Sequence, residues 1–470
     1  MKNLTEDLRR GLSYLEEEGL GAVKPVVERL LGFDFDLLCK EGIYRDHDNY
    51  RFVVTYPFNP LMNTLKEDVF KDYSPEKPLA LYVHLPFCLS ICSFCGRFIK
   101  TNQISQEKIN QVVDSAISES KLIHSKIEGN LVFDSVYFGG GTPSVLSDPQ
   151  IKRLLDYFVG ELNLKKGAEV SWETTPETAI HEKLDLVLER GVNRISMGVQ
   201  DFDSSILRDC NRLHDGKKAV SAIELIHEMG FKNLNVDFIH GLPNQTLKHR
   251  EKTLETVLDL KPNSITDYPL YTSQDACISN LPSKSFPESW VRLVMQARAS
   301  DVLIDAGYSH RPIHWFTLRG SRHIQQENKF RNQEVLGIGL SSYSYLNGYQ
   351  YVNMSDVGSY LHSIENEEYP LEKGIKLSKH QDMARYMIFG MKLGDVEKKE
   401  YRAKYGESLD SKYSEIIGKL VEIDVLFEDQ NQLKLTPLGE LFSEEAALAF
   451  TDSETKALVS EQGCTIYGNY

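Results

Sequence analysis

The sequence predicts an α/β fold whose centre is a partial barrel of six strand–helix units. The first observation is an alternation between residues 79 and 271, where short β-branched or aromatic runs are separated by helix-like segments. Such an alternation implies a parallel sheet with right-handed crossovers, and six units instead of eight imply an open, TIM-like barrel. The second observation is that polar motifs recur where the predicted strands end, which is where such barrels carry active sites. The predicted strands are ALYVHLPF, SVYFGGG, EVSWETT, RISMGVQ, NLNVDFIHG and SITDYPLY.

Four segments are predicted along the chain. Residues 1–75 form a helical N-terminal extension, 76–275 the partial barrel, 276–369 an irregular extension that completes the active site, and 370–470 a helical, winged-helix-like C-terminal domain. In the last segment Ser378 caps a helix, DQNQ turns a hairpin, and Thr436 precedes a final helix. This wing lacks a basic patch, which favours a cap or scaffold over a DNA-binding role.

A proline-containing segment precedes the barrel. The stretch RFVVTYPFNPLM, residues 51–62, carries Pro57 and Pro60, which force an extended path. Two interpretations stay open: the segment reaches into the active site, or it packs outside as a strap.

Composition limits the partners and the compartment. The 470-residue chain carries 53 basic and 68 acidic residues, a net charge of −15, which disfavours nucleic acid and anionic membranes as partners. A run of about 18 apolar residues, as a membrane span needs, does not occur. The N-terminus is acidic and amphipathic, unlike a secretory signal. Four cysteines are scattered singly, which favours a reducing cytoplasm; they are Cys39, Cys210, Cys277 and Cys464.

The stretch LYVHLPFCLSICSFCGRFIK, residues 81–100, holds three cysteines. Cys88, Cys92 and Cys95 are spaced C-x-x-x-C-x-x-C directly after a predicted strand. Three nearby thiols always leave one unpaired by disulfides, whereas thiolates converge readily on zinc or an iron–sulfur cluster. A structural zinc wants four ligands, and a fourth ligand at matching spacing is missing. Three ligands on a four-iron cubane leave one iron open for chemistry. A zinc site borrowing a distant His, or three core cysteines, remain the alternatives.

Each downstream motif has a chemical interpretation. Gly140, Gly141 and Thr142 follow a strand, where missing side chains let a ligand meet the backbone; the alternative is a tight turn before a capped helix. Arg212 has the fork that pairs with a carboxylate. Three further polar residues end predicted strands. The Glu173 carboxylate can hold an ammonium or a ribose hydroxyl, and Gln200 can make an amide contact. Asp237 lies among apolar neighbours, where burial of a carboxylate costs free energy unless a partner compensates it.

Taken in order, these motifs resemble the radical S-adenosylmethionine (SAM) superfamily. They are YVHLPFC with its cysteines, YFGGGTPS, SWETTPE, RISMGVQDF and NLNVDFIHGLPNQT. Within the superfamily the chain resembles the group built around oxygen-independent coproporphyrinogen III oxidase, from about Tyr82 to Leu346 and more weakly beyond. The resemblance implies that Cys88, Cys92 and Cys95 hold a 4Fe–4S cluster whose open iron binds SAM. It also implies which residues line one or two SAM molecules: Tyr82, Phe94, Gly140, Gly141, Thr142, Glu173, Gln200, Arg212 and Asp237.

Departures from that oxidase shape the functional expectation. The oxidase carries a further cysteine two residues after the third, where this chain has Arg97. Tyr271 and Tyr343 align with contacts to a second SAM, where the oxidase has small or aliphatic residues. The chain therefore also resembles relatives that reuse the scaffold, including class C radical SAM methyltransferases and a heme chaperone. On position alone, the candidate proton-transfer residues are Tyr271, Tyr343, Glu327 and His314.

We therefore expect a cytoplasmic radical SAM enzyme that transfers a methyl or methylene group from a second SAM to an unsaturated carbon. The alternatives are oxidative decarboxylation of coproporphyrinogen III and a heme chaperone. The expected partners are an unsaturated, aromatic or tetrapyrrole substrate and an electron donor such as flavodoxin or ferredoxin, with no nucleic acid and no membrane span.

Overall fold

The computed structural model describes residues 3–43, 52–65, 67–96, 99–127, 129–271 and 276–461. In chain order its strands are β1 (Leu79–Leu85), β2 (Phe87–Cys88), β3 (Ile99–Lys100), β4 (Phe133–Gly140), β5 (Leu164–Thr174), β6 (Arg194–Gln200), β7 (Asn233–His240), β8 (Ser264–Pro269), β9 (Ser309–Arg311), β10 (Trp315–Thr317), β11 (Val335–Ile338), β12 (Tyr343–Leu346), β13 (Tyr349–Asn353), β14 (Leu371–Lys376), β15 (Asp395–Glu397), β16 (Leu426–Glu428) and β17 (Gln432–Leu435). Arg97 and Cys464, which the sequence singled out, lie outside the described residues.

The α-helices of the same residues are given next in chain order. They are α1 (Leu4–Glu17), α2 (Lys24–Leu30), α3 (Phe35–Lys40), α4 (Gln106–Lys126), α5 (Asp148–Phe158), α6 (His181–Glu189), α7 (Ser204–Asp209), α8 (Gly216–Glu228), α9 (Leu247–Leu260), α10 (Ser289–Asp305), α11 (Ile324–Phe330), α12 (Val357–Glu365), α13 (Lys379–Leu393), α14 (Lys398–Tyr405), α15 (Leu409–Glu422), α16 (Pro437–Leu441), α17 (Ser443–Leu448) and α18 (Ser453–Glu461). Within the described ranges, no helix combines the length and hydrophobicity that a bilayer span requires.

Six parallel strands form the centre of one large sheet. β1, β4, β5, β6, β7 and β8 lie side by side in chain order, each hydrogen-bonded in parallel to the next. At least one helix connects each strand to its neighbour, and α10 follows the last strand. The predicted six-unit α/β arrangement is confirmed.

The segment predicted to be irregular adds strands to both edges of this sheet. β11 pairs in parallel with β1 and continues into the antiparallel strands β12, β13 and β14. On the other edge β10 and β9 extend β8 in antiparallel order. Because these strands are only three to six residues long, they carry too little alternation to be recognised from sequence. β14 lies beyond the predicted boundary at residue 370, yet it belongs to the large sheet.

Two large hydrophobic cores, and a small third cluster around Ile206 and Leu242, stabilise the part of the chain that the structure describes. The larger lies between the sheet and its crossover helices and includes Leu81, Phe138 and Ile195, all fully buried. The second joins α1 and α2 to α10 and α13, so that Leu8 and Val27 share a core with Met387. The N-terminal extension therefore packs against the C-terminal segment and is not an independent unit.

The C-terminal segment has the order of elements predicted for a winged-helix-like module. Ser378 caps α13 through its side chain, and α14 and α15 precede the β16–β17 hairpin. The helix after Thr436 begins at Pro437 as predicted. It is not the final helix, because α17 and α18 follow it.

Candidate active site

The cysteine loop lies at the carboxyl end of β1. Cys88 lies in β2, and Cys92 and Cys95 follow in the turn before β3. The amide of Cys95 donates to the carbonyl of Cys92 at 3.0 Å, and the amide of Ser93 donates to the carbonyl of Cys210 at 3.0 Å. These backbone bonds fix the loop against the residues that follow β6.

Polar groups surround two of the three thiols. Nη1 of Arg212 lies 3.1 Å from Sγ of Cys92, while its other terminal nitrogen donates to the carbonyl of Gly198. Oγ1 of Thr142 lies 3.7 Å from Sγ of Cys88. Burial raises the pKa of the Cys88 thiol to about 11. A cation and a hydroxyl therefore stand where negative charge on the sulfurs needs compensation.

The glycine-rich turn after β4 supports the cysteine loop. Gly140 has φ 105°, and a Cβ at this residue would lie 2.6 Å from the His84 ring. A Cβ at Gly141 would lie 2.5 Å from the carbonyl oxygen of Phe87. The amide of Thr142 donates to that same carbonyl at 2.8 Å. The glycines are thus required for close backbone packing, and the helix that follows is capped by a Ser147–Gln150 box.

Glu173 faces the barrel interior from the end of β5. The hydroxyl of Tyr137 donates to Oε1 at 2.8 Å, and the amide of Gly140 donates to Oε2 at 3.0 Å. Burial, together with the charge of the nearby Asp237, raises the pKa of the Glu173 carboxyl to about 7. The carboxyl is therefore poised between its two protonation states at neutral pH.

Asp237 also points into the barrel, but it does not end its strand as predicted. β7 continues to His240. Nδ2 of Asn235 donates to Oδ1 of Asp237 at 2.7 Å, and Oγ of Ser196 donates to Oδ2 at 3.3 Å. Burial raises the pKa of this carboxyl, and these two partners oppose the shift. The partners offset the desolvation that the sequence identified as a cost.

The barrel interior carries polar residues that the sequence analysis missed. They recur at every second position of neighbouring strands and therefore share the inward face. Arg194 donates towards Ser171 and lies 3.3 Å from the ring of His323, and Asn235 donates to Ser196 at 3.0 Å. The sequence feature that could have revealed these residues is a polar side chain at every second position of the strands. The residues are Glu169, Ser171 and Glu173 on β5, Arg194 and Ser196 on β6, Asn235 and Asp237 on β7, and Ser264 and Thr266 on β8.

Two adjoining cavities of about 370 Å³ each occupy the interior. The first has polar walls and reaches from Tyr82 and Glu173 on the sheet to Lys329 on α11. The second is largely aromatic and aliphatic and includes Phe94 of the cysteine loop. Both are bordered by Val54, Thr55, Tyr268 and Tyr343. Volumes of this size are typical of small-molecule sites.

The proline-containing segment before the barrel borders both cavities. Val54 and Thr55 contribute to their walls, and Nδ2 of Asn59 lies 3.0 Å from the Tyr343 hydroxyl. Tyr56 and Phe58 are buried in the second core. Of the two interpretations left open, the structure therefore supports the one in which this segment reaches the interior.

The structure brings together most of the predicted site residues. Tyr82, Glu173, Asp237 and Tyr343 line the first cavity, and Phe94, Tyr271 and Tyr343 line the second. A smaller cavity of about 30 Å³ is bordered by Cys88, Cys92, Thr142 and Arg212.

Three predicted residues lie elsewhere. Gln200 ends β6 with φ 73°, outside the cavity walls described above. His314 is buried behind Phe52 and Tyr268, with ring centroids 6.5 and 6.1 Å away. Glu327 forms an ion pair with Arg322 at 2.7 Å on the protein surface. Neither His314 nor Glu327 borders the two interior cavities.

Comparison with known proteins adds independent findings. Residues 82–257 match the model of the radical SAM superfamily. The chain is 28% identical to the heme chaperone HemW of Bacillus subtilis over 391 residues, covering 78% of this chain and 98% of that protein. It is 30% identical to HemW of Lactococcus lactis over 376 residues, covering 77% and 95%. It is 26% identical to the oxygen-independent coproporphyrinogen III oxidase of Escherichia coli over 401 residues, covering 80% and 86%.

The fold and the cysteine loop thus define a radical SAM protein. The chain belongs to this superfamily, in the group that contains HemW and oxygen-independent coproporphyrinogen III oxidase. The solved structure of coproporphyrinogen III oxidase (HemN) from Escherichia coli has the same fold: TM-score 0.76, with 23% identity, covering 89% of this chain and 98% of that one. Proteins of this superfamily use a 4Fe–4S cluster and SAM. These relatives are heme chaperones and coproporphyrinogen oxidases, so the expected methyl transfer gains no support from them.

Proposed function

We propose that this protein is a radical SAM enzyme that oxidatively decarboxylates a propionate side chain of a coproporphyrinogen-type tetrapyrrole. The observation that carries the proposal is the pair of adjoining cavities, of which the second reaches Phe94 of the cysteine loop and the first continues between the inward-facing side chains of the barrel. Relatives that match most of this chain act on coproporphyrinogen III or serve heme, as their names state. A tetrapyrrole is therefore the substrate class with the most support.

Cys88, Cys92 and Cys95 are proposed to hold the cluster. A guanidinium nitrogen 3.1 Å from one sulfur and a hydroxyl 3.7 Å from another suit an anionic cluster with cysteine ligands. Within the described ranges, no three His, Cys, Asp or Glu side chains converge on a single metal ion. A cubane does not require that convergence, because its cysteines bind separate irons.

Residues around this loop are proposed to hold SAM. When bound, the cluster and SAM supply a 5′-deoxyadenosyl radical that abstracts hydrogen from the substrate. Backbone groups of Gly140, Gly141 and Thr142 stand beside the loop, and Tyr82, Phe94 and Asp237 border the adjoining cavities. These walls position the substrate carbon and exclude water from it. Arg212, already engaged with Cys92, keeps Nε available as a buried donor without a partner among the described residues.

In the proposed reaction the substrate loses one hydrogen atom from the propionate carbon next to the ring. The C–C bond to the carboxylate then breaks, releasing carbon dioxide and one electron and leaving a vinyl group. An electron donor such as flavodoxin or ferredoxin supplies the one electron that SAM cleavage consumes, and a one-electron acceptor takes the electron that the substrate releases. Tyr271 and Tyr343, which border the aromatic cavity, are proposed to orient the ring system.

Two other functions have specific observations in their favour. The second cavity, with Tyr271 and Tyr343, leaves room for another small molecule, which suits methyl or methylene transfer from a second SAM. The sequence also favours methyl transfer over decarboxylation at one position, because Arg97 stands where the oxidase has its additional cysteine. A heme chaperone is favoured by how much of each relative's length aligns with this chain. The alignments span 95–98% of the length of the HemW proteins but 86% of the length of the Escherichia coli oxidase.

One experiment separates these functions. The protein is reconstituted with iron and sulfide under strict anaerobiosis, reduced, and incubated with SAM and coproporphyrinogen III. Decarboxylation yields 5′-deoxyadenosine and a product lighter by carbon dioxide and two hydrogens, without S-adenosylhomocysteine. Methyl transfer yields S-adenosylhomocysteine together with 5′-deoxyadenosine. In a parallel incubation with heme, a chaperone shows a Soret band, and it consumes no SAM productively with either compound; either methyl transfer or this last result refutes the proposal.

A further inference from the structure

Two cations border the first cavity at its end away from the cysteine loop. Lys329 on α11 and Arg385 on α13 both contribute to its wall. Asn328, beside Lys329, donates to the carboxylate of Asp134 at 2.9 Å. Asp134 lies at the start of β4, whereas the cysteine loop lies where β1 ends. Helix α11 therefore closes the opposite end of the barrel.

Lys329 has no anionic partner in the part of the chain that the structure describes. Among those residues its ammonium forms no hydrogen bond or ion pair, and Nζ lies 5.4 Å from the ring centroid of Phe330. Its side chain stays partly exposed because it faces the cavity. Burial, together with the nearby cations Lys392 and Arg385, lowers the pKa of Lys329 to about 7. The neighbouring Lys392 is already paired with Glu444 at 2.5 Å.

Arg385 also keeps unused hydrogen-bonding capacity. Its guanidinium lies 3.8 Å from the Tyr345 ring centroid and 4.3 Å from that of Phe389, and one terminal nitrogen donates to Asn332. Its Nε is buried without a partner within the described ranges.

Asp382, whose charge acts on Arg385, does not neutralise this wall. Asp382 accepts hydrogen bonds from the hydroxyls of Tyr345 and Tyr405, and Nζ of Lys404 lies 3.4 Å away. Its charge is therefore distributed over several donors. The carboxyls that line the cavity, Glu173 and Asp237, lie on the sheet.

We propose that Lys329 and Arg385 form a subsite that binds a carboxylate of the substrate at the closed end of the cavity. Arg385 is buried with an unpaired Nε, and the partly exposed ammonium of Lys329 faces the same cavity without an anionic partner, so an incoming carboxylate compensates both charges. The inference rests on the proposed function for its substrate class, because a coproporphyrinogen-type molecule carries several propionates. Propionates not held here remain free to reach the cysteine loop. The alternative ligand for this subsite is the carboxylate of a second SAM molecule.

The test measures binding of coproporphyrin III to the anaerobic, cluster-loaded protein by quenching of porphyrin fluorescence. The tetramethyl ester, at equal dimethyl sulfoxide, is the uncharged comparison. Lys329→Met is expected to weaken binding of the tetra-acid at least tenfold and to leave binding of the ester unchanged. Lys329→Arg is expected to retain binding. Lys399→Met, on the exposed surface of α14, serves as the matched control and is expected to change neither.

Several outcomes overturn the inference. Equal affinity of wild type and Lys329→Met for the tetra-acid refutes it, and so does failure of wild type to bind the tetra-acid. If Lys329→Met instead lowers the number of SAM molecules bound from two to one, the carboxylate belongs to SAM and the substrate assignment is wrong. The proposed function and the subsite fail under different results. If the protein binds the tetra-acid through Lys329 but forms no vinyl product, the proposed reaction is refuted and the subsite is supported.

A thermal unfolding measurement excludes misfolding as the cause. Lys329→Met removes a partly desolvated charge that has no anionic partner, so its melting temperature in the absence of porphyrin is expected to equal or exceed that of the wild type. If Lys329→Met weakens binding of the tetra-acid and of the ester equally, Lys329 does not act on the carboxylates, and the subsite is refuted.

Discussion

Lys392 and Glu444 form an ion pair in which neither side chain is exposed, with Nζ 2.5 Å from Oε1. Both residues also bond the backbone of Val53: Nζ donates to its carbonyl at 2.6 Å, and its amide donates to Oε2 at 2.9 Å. Nζ lies 4.1 Å from the ring centroid of Phe52. The pair therefore holds the segment that borders both interior cavities, and it links three distant parts of the chain.

The first prediction concerns this pair. Lys392→Met leaves Glu444 buried without its cation, so we expect a loss of about 3–5 kcal/mol in the free energy of unfolding. The double variant with Glu444→Gln removes both charges and is expected to recover most of that loss. Chemical denaturation of the anaerobic protein measures both effects. Lys419→Met, in an exposed helical pair, is the control; an equal loss there, or no recovery in the double variant, contradicts the prediction.

The second prediction concerns the cluster ligands. Replacing Cys88, Cys92 or Cys95 singly by Ala is expected to abolish the visible absorbance of the reconstituted protein and the spin-resonance signal of its reduced form. The reason is that each thiolate binds a different iron. Cys277→Ala, at an exposed cysteine, is expected to keep full iron content. Wild-type cluster content in all three single variants would exclude this ligand assignment.

The third prediction concerns Arg212. Arg212→Ala removes the donor 3.1 Å from the sulfur of Cys92, so we expect weaker SAM binding and a lower reduction potential with iron content retained. Potentiometric titration and SAM binding measure the two effects. Arg208→Ala, exposed on α7, is the matched control. Loss of iron in Arg212→Ala would instead assign this residue a purely structural role.

The fourth prediction concerns pH. Burial raises the pKa of Glu173 to about 7, so between pH 4.5 and 7 the folded protein keeps a proton that the unfolded chain has lost. The stability contributed by this group is present below pH 4.5 and is lost as the pH rises through 7. The glutamine of Glu173→Gln does not titrate. The free energy of unfolding of this variant, compared with that of wild type, is therefore expected to increase between pH 4.5 and 7.

Thermal unfolding at several pH values measures this difference. Glu182→Gln, at an exposed position of α6, is expected to show no such trend. A difference between Glu173→Gln and wild type that stays constant from pH 4.5 to 7 contradicts the shift.

Long periodic segments were predictable from sequence. The six parallel strands carry dense apolar runs separated by helices of six residues or more, and their order follows directly from right-handed crossovers. The cysteine loop was predictable because three thiols in eight residues have few chemical uses. The edge strands β9 and β10 were not, since three residues show no reliable period.

The site was predictable only where residues follow one another in sequence. Lys329 and Arg385 lie 56 positions apart on two helices that pack together, and neither belongs to a motif. Glu327 was chosen by position alone, and helix geometry turned it towards Arg322 while Lys329, two residues later, faces the cavity. Residues two apart on a helix lie on different faces, and sequence does not tell which face meets the barrel.

By itself, the sequence determined the α/β class, the three-cysteine loop and the order of the polar motifs, because these depend on local periodicity and on the chemistry of neighbouring residues. Only the tertiary structure decided which side chains enclose the cavities. Burial and pairing are relations between distant residues: Glu444 meets Lys392 and Val53, and Lys329 lies near the cations Lys392 and Arg385, because the folded chain brings them together.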